Sequence, residues 1–213
     1  MSFSASAYLR RATGRAKSDV ANKLVSMFLH DISRKLCSKL DLSVNDPRYA
    51  ESVATRFGNV CCYCGKALEV DRASVEHLDG MNRFRLGLHI PGNVIIACTQ
   101  CNREKRRDDS TPTLFLAKTG WESFLSHDST KCNQSCNSCI YWREIWPDEN
   151  ERIMNLRCAS ERISAFRSEF GPYLDLNEKA RVKLAANIEL IYRDCQQFAT
   201  TRIRDAVEDI CRA

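Results

Sequence analysis

The chain has 213 residues and a net charge of +5, with 44% hydrophobic and 28% charged residues. This length fits one medium-sized domain or a small domain with added helices, and the apolar fraction is sufficient for a core. No apolar run approaches the ~20 residues that a membrane helix needs, and no apolar segment of the signal-peptide kind follows the start. We therefore expect a cytoplasmic protein without a membrane partner.

The positive charge is concentrated at the start of the chain. Residues 1–40 hold eight Lys and Arg residues and only two acids, Asp19 and Asp31. Such an asymmetry favours an arm that lies on a polyanion, although basic helical faces are often simply solvated. Apolar residues at four-residue steps predict one face of a helix in the same segment. That face consists of Val20, Leu24, Phe28, Ile32, Leu36 and Leu40.

Two short helices are predicted around the middle of the chain. Asp46-Pro47 is typical of an N-cap followed by a first turn, and this helix ends near Gly58. Thr111-Pro112 opens another helix that ends near Gly120. A cysteine-rich loop is expected after it, which Pro147 closes.

The last third of the chain is predicted to be helical. One helix runs from about residue 148 to residue 170, where Gly171-Pro172 terminates it. Asn177 then caps a long helix whose apolar residues resemble a short heptad seam. The seam predicts either packing on its own domain or a homodimer contact through the C-terminal helix. It consists of Leu184, Ile188, Ile191, Cys195, Phe198, Ile203, Val207 and Ile210.

Twelve cysteines are many for a chain of this length. Without a secretory signal, clustered cysteines indicate metal binding more than disulfides. Two Cys-x-x-Cys pairs supply four thiolates for a closed, tetrahedral zinc site, and Cys62 between two ligands is expected to point away. The four predicted ligands are Cys61, Cys64, Cys98 and Cys101. The scattered cysteines are interpreted as small core residues; these are Cys37, Cys158, Cys195 and Cys211.

The segment between the two pairs must form structure of its own. Residues 74–80 and 92–97 each predict a short strand, with a loop between them. The second strand leads directly into Cys98, and residues 99–107 then predict a helix. The expected order is strand, loop, strand and helix, clamped at both ends by one zinc ion.

An acidic residue and a histidine, an asparagine and a second knuckle follow one another in this segment. They are Glu76-His77, then Asn93 before a hydrophobic strand, then the run Cys98-Thr-Gln-Cys101-Asn102-Arg-Glu-Lys105. In order and spacing this pattern resembles the HNH (ββα-metal) endonuclease family, over about residues 60–107. The resemblance implies a mostly helical α+β fold, in which a zinc-clamped ββα-metal core is flanked by N- and C-terminal helices.

The resemblance divides the chain into four parts. A basic helical N-terminal region spans residues 1–58, and the nuclease core spans residues 59–110. A helix and a cysteine-rich loop occupy residues 111–147, and the C-terminal helices occupy residues 148–213. Outside the core, the chain matches no pattern that predicts a function.

The resemblance also implies metal-dependent hydrolysis of DNA phosphodiester bonds. His77 is the expected general base, because a neutral imidazole near pH 7 can take a proton from water. Glu76 and Asn102 are expected to hold a catalytic Mg²⁺ or Mn²⁺ through oxygen ligands, and Asn93 to brace the loop and orient the base. The expected DNA contacts are Lys105, Arg106, Arg107, Arg83 and Arg85.

The sequence departs from the usual family pattern in places. Glu76 stands where many members have Asp, and Asn102 stands where others have His. Asp79-Gly80 stands where a Pro often follows the histidine, so Asp79 is a further candidate ligand. His89 is interpreted as a surface residue of the loop that could touch DNA or metal.

Cys132, Cys136 and Cys139 form a second cysteine group. A second zinc site is the favoured interpretation, with His127 or Cys158 as the fourth ligand. The same spacing is found in radical SAM enzymes, whose three cysteines hold an iron–sulfur cluster, but the following segment is too short for the barrel of those enzymes. The remaining alternative is three unliganded cysteines in a polar loop.

Two classes of function follow from these patterns. The first is a DNA-cutting enzyme in restriction or anti-phage defence, where similar small nucleases work with an ATPase partner. The second is a zinc-dependent DNA-binding module without catalysis, and an iron–sulfur protein is a remote third alternative. Metal-dependent nicking of plasmid DNA by the purified protein separates the first two.

Overall fold

The structure is a computed structural model, which describes residues 5–68, 73–105, 120–127 and 135–212. Within these ranges, the chain forms seven α-helices and one two-stranded antiparallel sheet. In chain order the elements are α1 (Ala5–Cys37), α2 (Pro47–Phe57), β1 (Ala73–His77), β2 (Val94–Cys98), α3 (Thr99–Lys105), α4 (Trp121–Leu125), α5 (Asn137–Ile145), α6 (Glu149–Ser168) and α7 (Gly171–Arg212). The predicted mostly helical α+β fold is therefore confirmed. Among the described helices, none has the length and apolar character needed to cross a bilayer.

Helix α2 begins and ends where its local signals predict. The side chain of Asp46 caps it by accepting a hydrogen bond from the amide of Arg48, and Pro47 occupies the first turn. Gly58 ends it in the left-handed region at φ 62°, where a side chain would be disfavoured. This prediction is confirmed, because the signals act within a few residues.

The predicted strand, loop, strand and helix are all present. Strand β1 pairs antiparallel with β2, with Ala73 opposite Cys98 and His77 opposite Val94. Strand β2 runs into α3 without an intervening residue. Three of the five β2 side chains are buried in the main core, so the apolar run anchors the sheet. The sheet thereby places the end of β1 and the start of α3 side by side.

Helices α1 and α7 form a second core together with the loop between the strands. The buried face of α1 lies one residue beyond the predicted stripe: Ala21 and Val25 are at most 1% exposed, whereas Val20 and Leu24 are 46% and 42% exposed. Successive residues on an α-helix point about 100° apart, so a shift of one residue rotates the buried face by that angle. The row that contains the small Ala21 packs inward, so the prediction was wrong for Val20 and Leu24, whereas Ile32 and Leu36 of the predicted stripe are partly buried against this core.

Helix α7 begins at Gly171, before the predicted cap at Asn177. Pro172 lies in its first turn, where the missing amide costs no hydrogen bond. Ile188 is buried and Leu184 partly buried in the core shared with α1. For these residues the seam packs on its own domain, and the homodimer contact stays a prediction.

The region before α6 contains helices that the sequence did not predict. Helices α4 and α5 lie where a loop was expected, and the helix predicted from Thr111 falls outside the described residues. Cys158 and Cys211 are exposed, so their interpretation as core residues was wrong, whereas Cys37 is buried.

Candidate metal and catalytic site

The two Cys-x-x-Cys pairs meet in one cluster of four sulfur atoms, all within 4.8 Å of one another. The Sγ atoms of Cys64 and Cys98 are 3.9 Å apart, close to the roughly 3.8 Å between two thiolates on a tetrahedral zinc ion. The amide of Cys101 donates to Cys98 Sγ at 3.4 Å. Cys62 is buried but lies outside the cluster. The donor set and its spacing fit a closed structural zinc site.

The thiols of the four-cysteine cluster shift one another's pKa values through hydrogen bonds. The hydrogen bond from Cys101 lowers the pKa of Cys98 to about 7, and it also lowers the pKa of Cys61. The sulfur of Cys101 lies 2.9 Å from the hydroxyl of Tyr141 on α5. The hydrogen bond with Cys61 raises the pKa of Cys101 well above its usual value, so the thiols share their protons, which a metal ion would displace because it binds the thiolate form.

Beside this cluster lies a cleft of about 200 Å³. Its walls include Glu76 and His77 from β1, Asn102 and Lys105 from α3, and His30 from α1. The first four were all predicted as site residues, and they are drawn from two separate segments of the sequence. The sheet brings them together because β1 lies next to the strand that leads into α3.

Asn93 holds the loop that forms one side of the cleft. Its side chain is fully buried and accepts a hydrogen bond from the amide of Asp79 at 2.7 Å. The same side chain donates to the carbonyl oxygens of Asp79 and Leu88 at 3.0 and 2.8 Å. Three bonds from one buried amide tie the two ends of the loop together. This is the kind of contact that a bracing role requires.

Lys105 lies inside the protein. Its side chain is 3% exposed, and its ammonium contacts the Oε1 atom of Glu76 and the carbonyls of His77 and Leu78. The hydroxyl of Tyr63 donates to the same Oε1 at 3.2 Å. With its ammonium held by three acceptors, Lys105 forms part of the floor of the cleft, which does not fit the predicted contact with DNA phosphates.

Arg83 holds the same loop against α7. Its guanidinium pairs with Glu189 at 3.0 Å and lies 4.1 Å from the ring centre of Tyr192. These contacts give Arg83 a structural partner inside the protein. Of the other predicted DNA contacts, Arg106 and Arg107 lie outside the described residues.

Asp79 is held by two arginines. Arg85 and Arg167 each pair with one of its carboxylate oxygens, which connects the loop to α6. Burial raises the pKa of Asp79, but the two guanidinium groups outweigh burial and hold this pKa below its usual value. The carboxylate therefore serves as a loop anchor and is not placed as the metal ligand suggested by its sequence position.

His89 contacts His77, whereas its position in the sequence predicted a surface residue of the loop. Its Nδ1 atom lies 2.9 Å from Nε2 of His77, and its amide donates to the hydroxyl of Ser33 at 2.9 Å. The imidazole ring of His30 lies nearby, with ring centres 5.2 Å apart and the two planes tilted by 51°. Burial, together with the charge of His30, lowers the pKa of His89 to about 4. His89 is therefore neutral at pH 7. No local sequence signal marks His30 or His89, since only packing on α1 brings His30 to the cleft and His89 against His77.

A second cluster lies near the start of α5. The Nδ1 atom of His127 is 3.4 Å from Cys136 Sγ and 3.2 Å from Cys139 Sγ. Of the two ligands considered for this group, the structure places His127 with the cysteines, while Cys158 is exposed on α6 and lies outside the cluster. Cys132 falls outside the described residues.

Comparisons with known proteins identify no relative of this chain. No family model matches the chain, and no curated protein and no solved structure matches it. Among the described residues, the four-cysteine cluster could hold a structural zinc ion.

Proposed function

We propose that this protein is a metal-dependent nuclease of the HNH type that hydrolyses phosphodiester bonds in DNA. The observation that carries the proposal is the cleft in which Glu76, His77 and Asn102 converge beside a braced loop. Hydrolysis of a phosphodiester needs an activated water, a cation at the phosphate and a water-restricted site. In the cleft, His77 is available to activate the water, and Glu76 and Asn102 are available to hold the cation. The neighbouring four-cysteine cluster would make the surrounding backbone rigid.

In this proposal, His77 accepts the proton of the attacking water. Its Nε2 atom contacts Nδ1 of His89, and a neutral His89 can accept a hydrogen bond from the N–H of that nitrogen. Such a bond selects the tautomer of His77 whose other nitrogen has the lone pair that acts as base. His89 is then a positioning residue, and the bond from its amide to Ser33 connects it to α1.

Glu76 and Asn102 are the residues that would hold the catalytic ion. They offer a carboxylate and an amide oxygen, which suit a hard ion such as Mg²⁺. The contacts of Lys105 and Tyr63 engage Oε1 of Glu76, and the Asn102 amide nitrogen donates to Ser74 at 3.0 Å. The second carboxylate oxygen and the amide oxygen are the atoms proposed as ligands. When bound, the ion supplies charge stabilisation at the phosphate.

DNA is proposed to reach the cleft along α1. Ser26 and His30 from this helix line the cleft, and Lys23 lies on the same face because positions three and seven residues apart share one face. Residues 1–40 also hold the excess of basic residues in the chain. A role in restriction or anti-phage defence, with an ATPase partner, is a further proposal that rests on the sequence resemblance.

The purified protein is expected to nick supercoiled plasmid DNA only with Mg²⁺ or Mn²⁺. Brief EDTA treatment should stop cleavage, and Mg²⁺ should restore it without added zinc. The reason is that the oxygen ligands of the cleft prefer a hard ion such as Mg²⁺, whereas the thiolates of the cluster prefer zinc. Agarose gels of nicked product and elemental analysis of the same samples check this. Glu76→Ala should lose cleavage while it retains zinc.

Two outcomes would contradict this assignment. One is cleavage that is indifferent to Mg²⁺. The other is loss of zinc in Glu76→Ala, which would place Glu76 in the structural cluster. Glu104→Ala offers a control on α3, because Glu104 is also a buried acid but does not line the cleft.

His89→Ala is expected to lower kcat about tenfold and to leave KM unchanged, which corresponds to the loss of one hydrogen bond of about 1.4 kcal/mol. His89→Asn should keep most of the activity, since its amide oxygen can stand near the position of Nδ1. Steady-state nicking rates of both variants check this. Equal losses in the two variants would mean that packing, and not the hydrogen bond to His77, explains the effect.

A zinc-dependent DNA-binding module without catalysis is the second candidate function. The buried ion pair of Lys105 with Glu76 favours it, because this ammonium already neutralises the carboxylate proposed as a ligand. DNA binding without cleavage under any divalent ion would support this candidate over the nuclease.

A further inference from the structure

We propose that His127, Cys136 and Cys139 bind a second metal ion, Zn²⁺, at a site separate from the four-cysteine cluster. The three side chains offer one nitrogen and two sulfur atoms, all within 4.8 Å of one another. The two nitrogen–sulfur distances are 3.4 and 3.2 Å. A nitrogen and a sulfur on a tetrahedral zinc ion lie about 3.6 Å apart, so the spacing fits a shared ion.

A hydrogen bond between thiol and imidazole explains this geometry less well. The Nδ1 atom of His127 has either one proton or one lone pair, so it can make one good hydrogen bond. Here both sulfur atoms, those of Cys136 and Cys139, approach the same nitrogen within 0.2 Å of the same distance. Three donor atoms that converge on one point are arranged as ligands around an ion.

The second site repeats the local geometry of the first. The amide of Cys139 donates to Cys136 Sγ at 3.4 Å, and the amide of Cys101 donates to Cys98 Sγ at the same distance. Each pair is a Cys-x-x-Cys at the start of a helix, with the first cysteine before α5 or α3. An amide that donates to the first sulfur stabilises a thiolate at that position, as a metal ligand requires.

The ion would fasten α4 to the start of α5. Helix α4 has five residues and no side-chain cap at its start, which is too short to be stable alone. His127 lies two residues after the end of α4, and Trp142 of α5 donates to the carbonyl of Phe124 at 2.8 Å. Since Tyr141 of α5 contacts Cys101, the second site would hold this helix pair against the first cluster.

Metal analysis of the intact chain tests the proposal. The wild type should contain two zinc ions per chain, and His127→Ala should contain one. Cys158→Ser is the matched control, since Cys158 is exposed and lies outside both clusters, and it should retain two. One zinc in the wild type, unchanged in His127→Ala, would overturn the proposal, as would absorbance of an iron–sulfur cluster.

A conservative variant separates metal binding from folding. His127→Cys replaces one zinc ligand by another and should keep two ions, with a more thiolate-rich charge-transfer spectrum after Co²⁺ substitution. If His127→Ala misfolds, recovery of the second ion in His127→Cys still supports the site. If His127→Ala and His127→Cys contain the same number of zinc ions, the proposed second site is wrong. None of these readouts depends on DNA cleavage, so they are independent of the proposed nuclease.

Discussion

Cys64→Ser and Cys98→Ser are each expected to unfold residues 60–107. Binding of a structural zinc ion contributes on the order of 10 kcal/mol, and in small metal-held units this is largely folding free energy. The cluster joins the first Cys-x-x-Cys pair to the end of β2 and the start of α3. Loss of the ion would therefore remove the link that holds these elements around the cleft. Serine keeps the size of cysteine but is a poor zinc ligand. Zinc content, circular dichroism and limited proteolysis measure the effect.

Cys62→Ala is the matched control for these variants. Cys62 lies between two ligands and is fully buried, but it is not part of the cluster. Its loss should cost only about 1 kcal/mol, since a small side chain leaves a small cavity. A soluble, zinc-free and fully active Cys64→Ser protein would show that the cluster does not hold the fold.

His77→Ala is expected to reduce cleavage by about 10²- to 10⁴-fold, the range for loss of a general base. Zinc content, fold and DNA affinity should stay unchanged, because a base acts on the transition state and not on ground-state binding. Single-turnover nicking rates measure the catalytic step, and DNA affinity measured in Ca²⁺ gives ground-state binding separately. Near-normal cleavage in the presence of Mg²⁺ would remove His77 from the mechanism.

His30→Ala is the matched control for His77→Ala. His30 lines the same cleft, but its ring centre lies 6.4 Å from that of His77 and it belongs to α1. The same chemical change there should lower the rate by less than tenfold, a loss of about 1.4 kcal/mol at most. Equal losses in both variants would indicate that the cleft needs two histidines as bases or acids, and not His77 alone.

Local signals in the sequence were enough for several elements. The cap at Asp46 and the stop at Gly58 bound α2, and the strand, loop, strand and helix follow from the apolar runs around the knuckles. Each of these depends on residues within a few positions of one another, so neighbouring chemistry decides them. The meeting of the two Cys-x-x-Cys pairs was also predictable, because one ion demands four thiolates.

The tertiary structure decided the surroundings of the cleft. Only contacts between distant segments show that His89 lies beside His77, and that Lys105 pairs with Glu76 inside the protein. The same holds for Arg83, which is held by Glu189 of α7 over 100 residues away. A charged residue looks the same in the sequence whether it faces DNA or a buried partner, because its partner comes from another segment.

The sequence by itself determined the four-cysteine cluster, the cap and stop of α2 and the order of elements around the cleft. The tertiary structure decided which row of α1 is buried, which histidines meet and which charges are neutralised within the protein. A Cys-x-x-Cys pair and a helix cap each depend on residues within a few positions of one another, so the residue types reveal them directly. Burial and ion pairing depend on how α1, α6 and α7 pack around the loop, and that packing is a property of the whole chain.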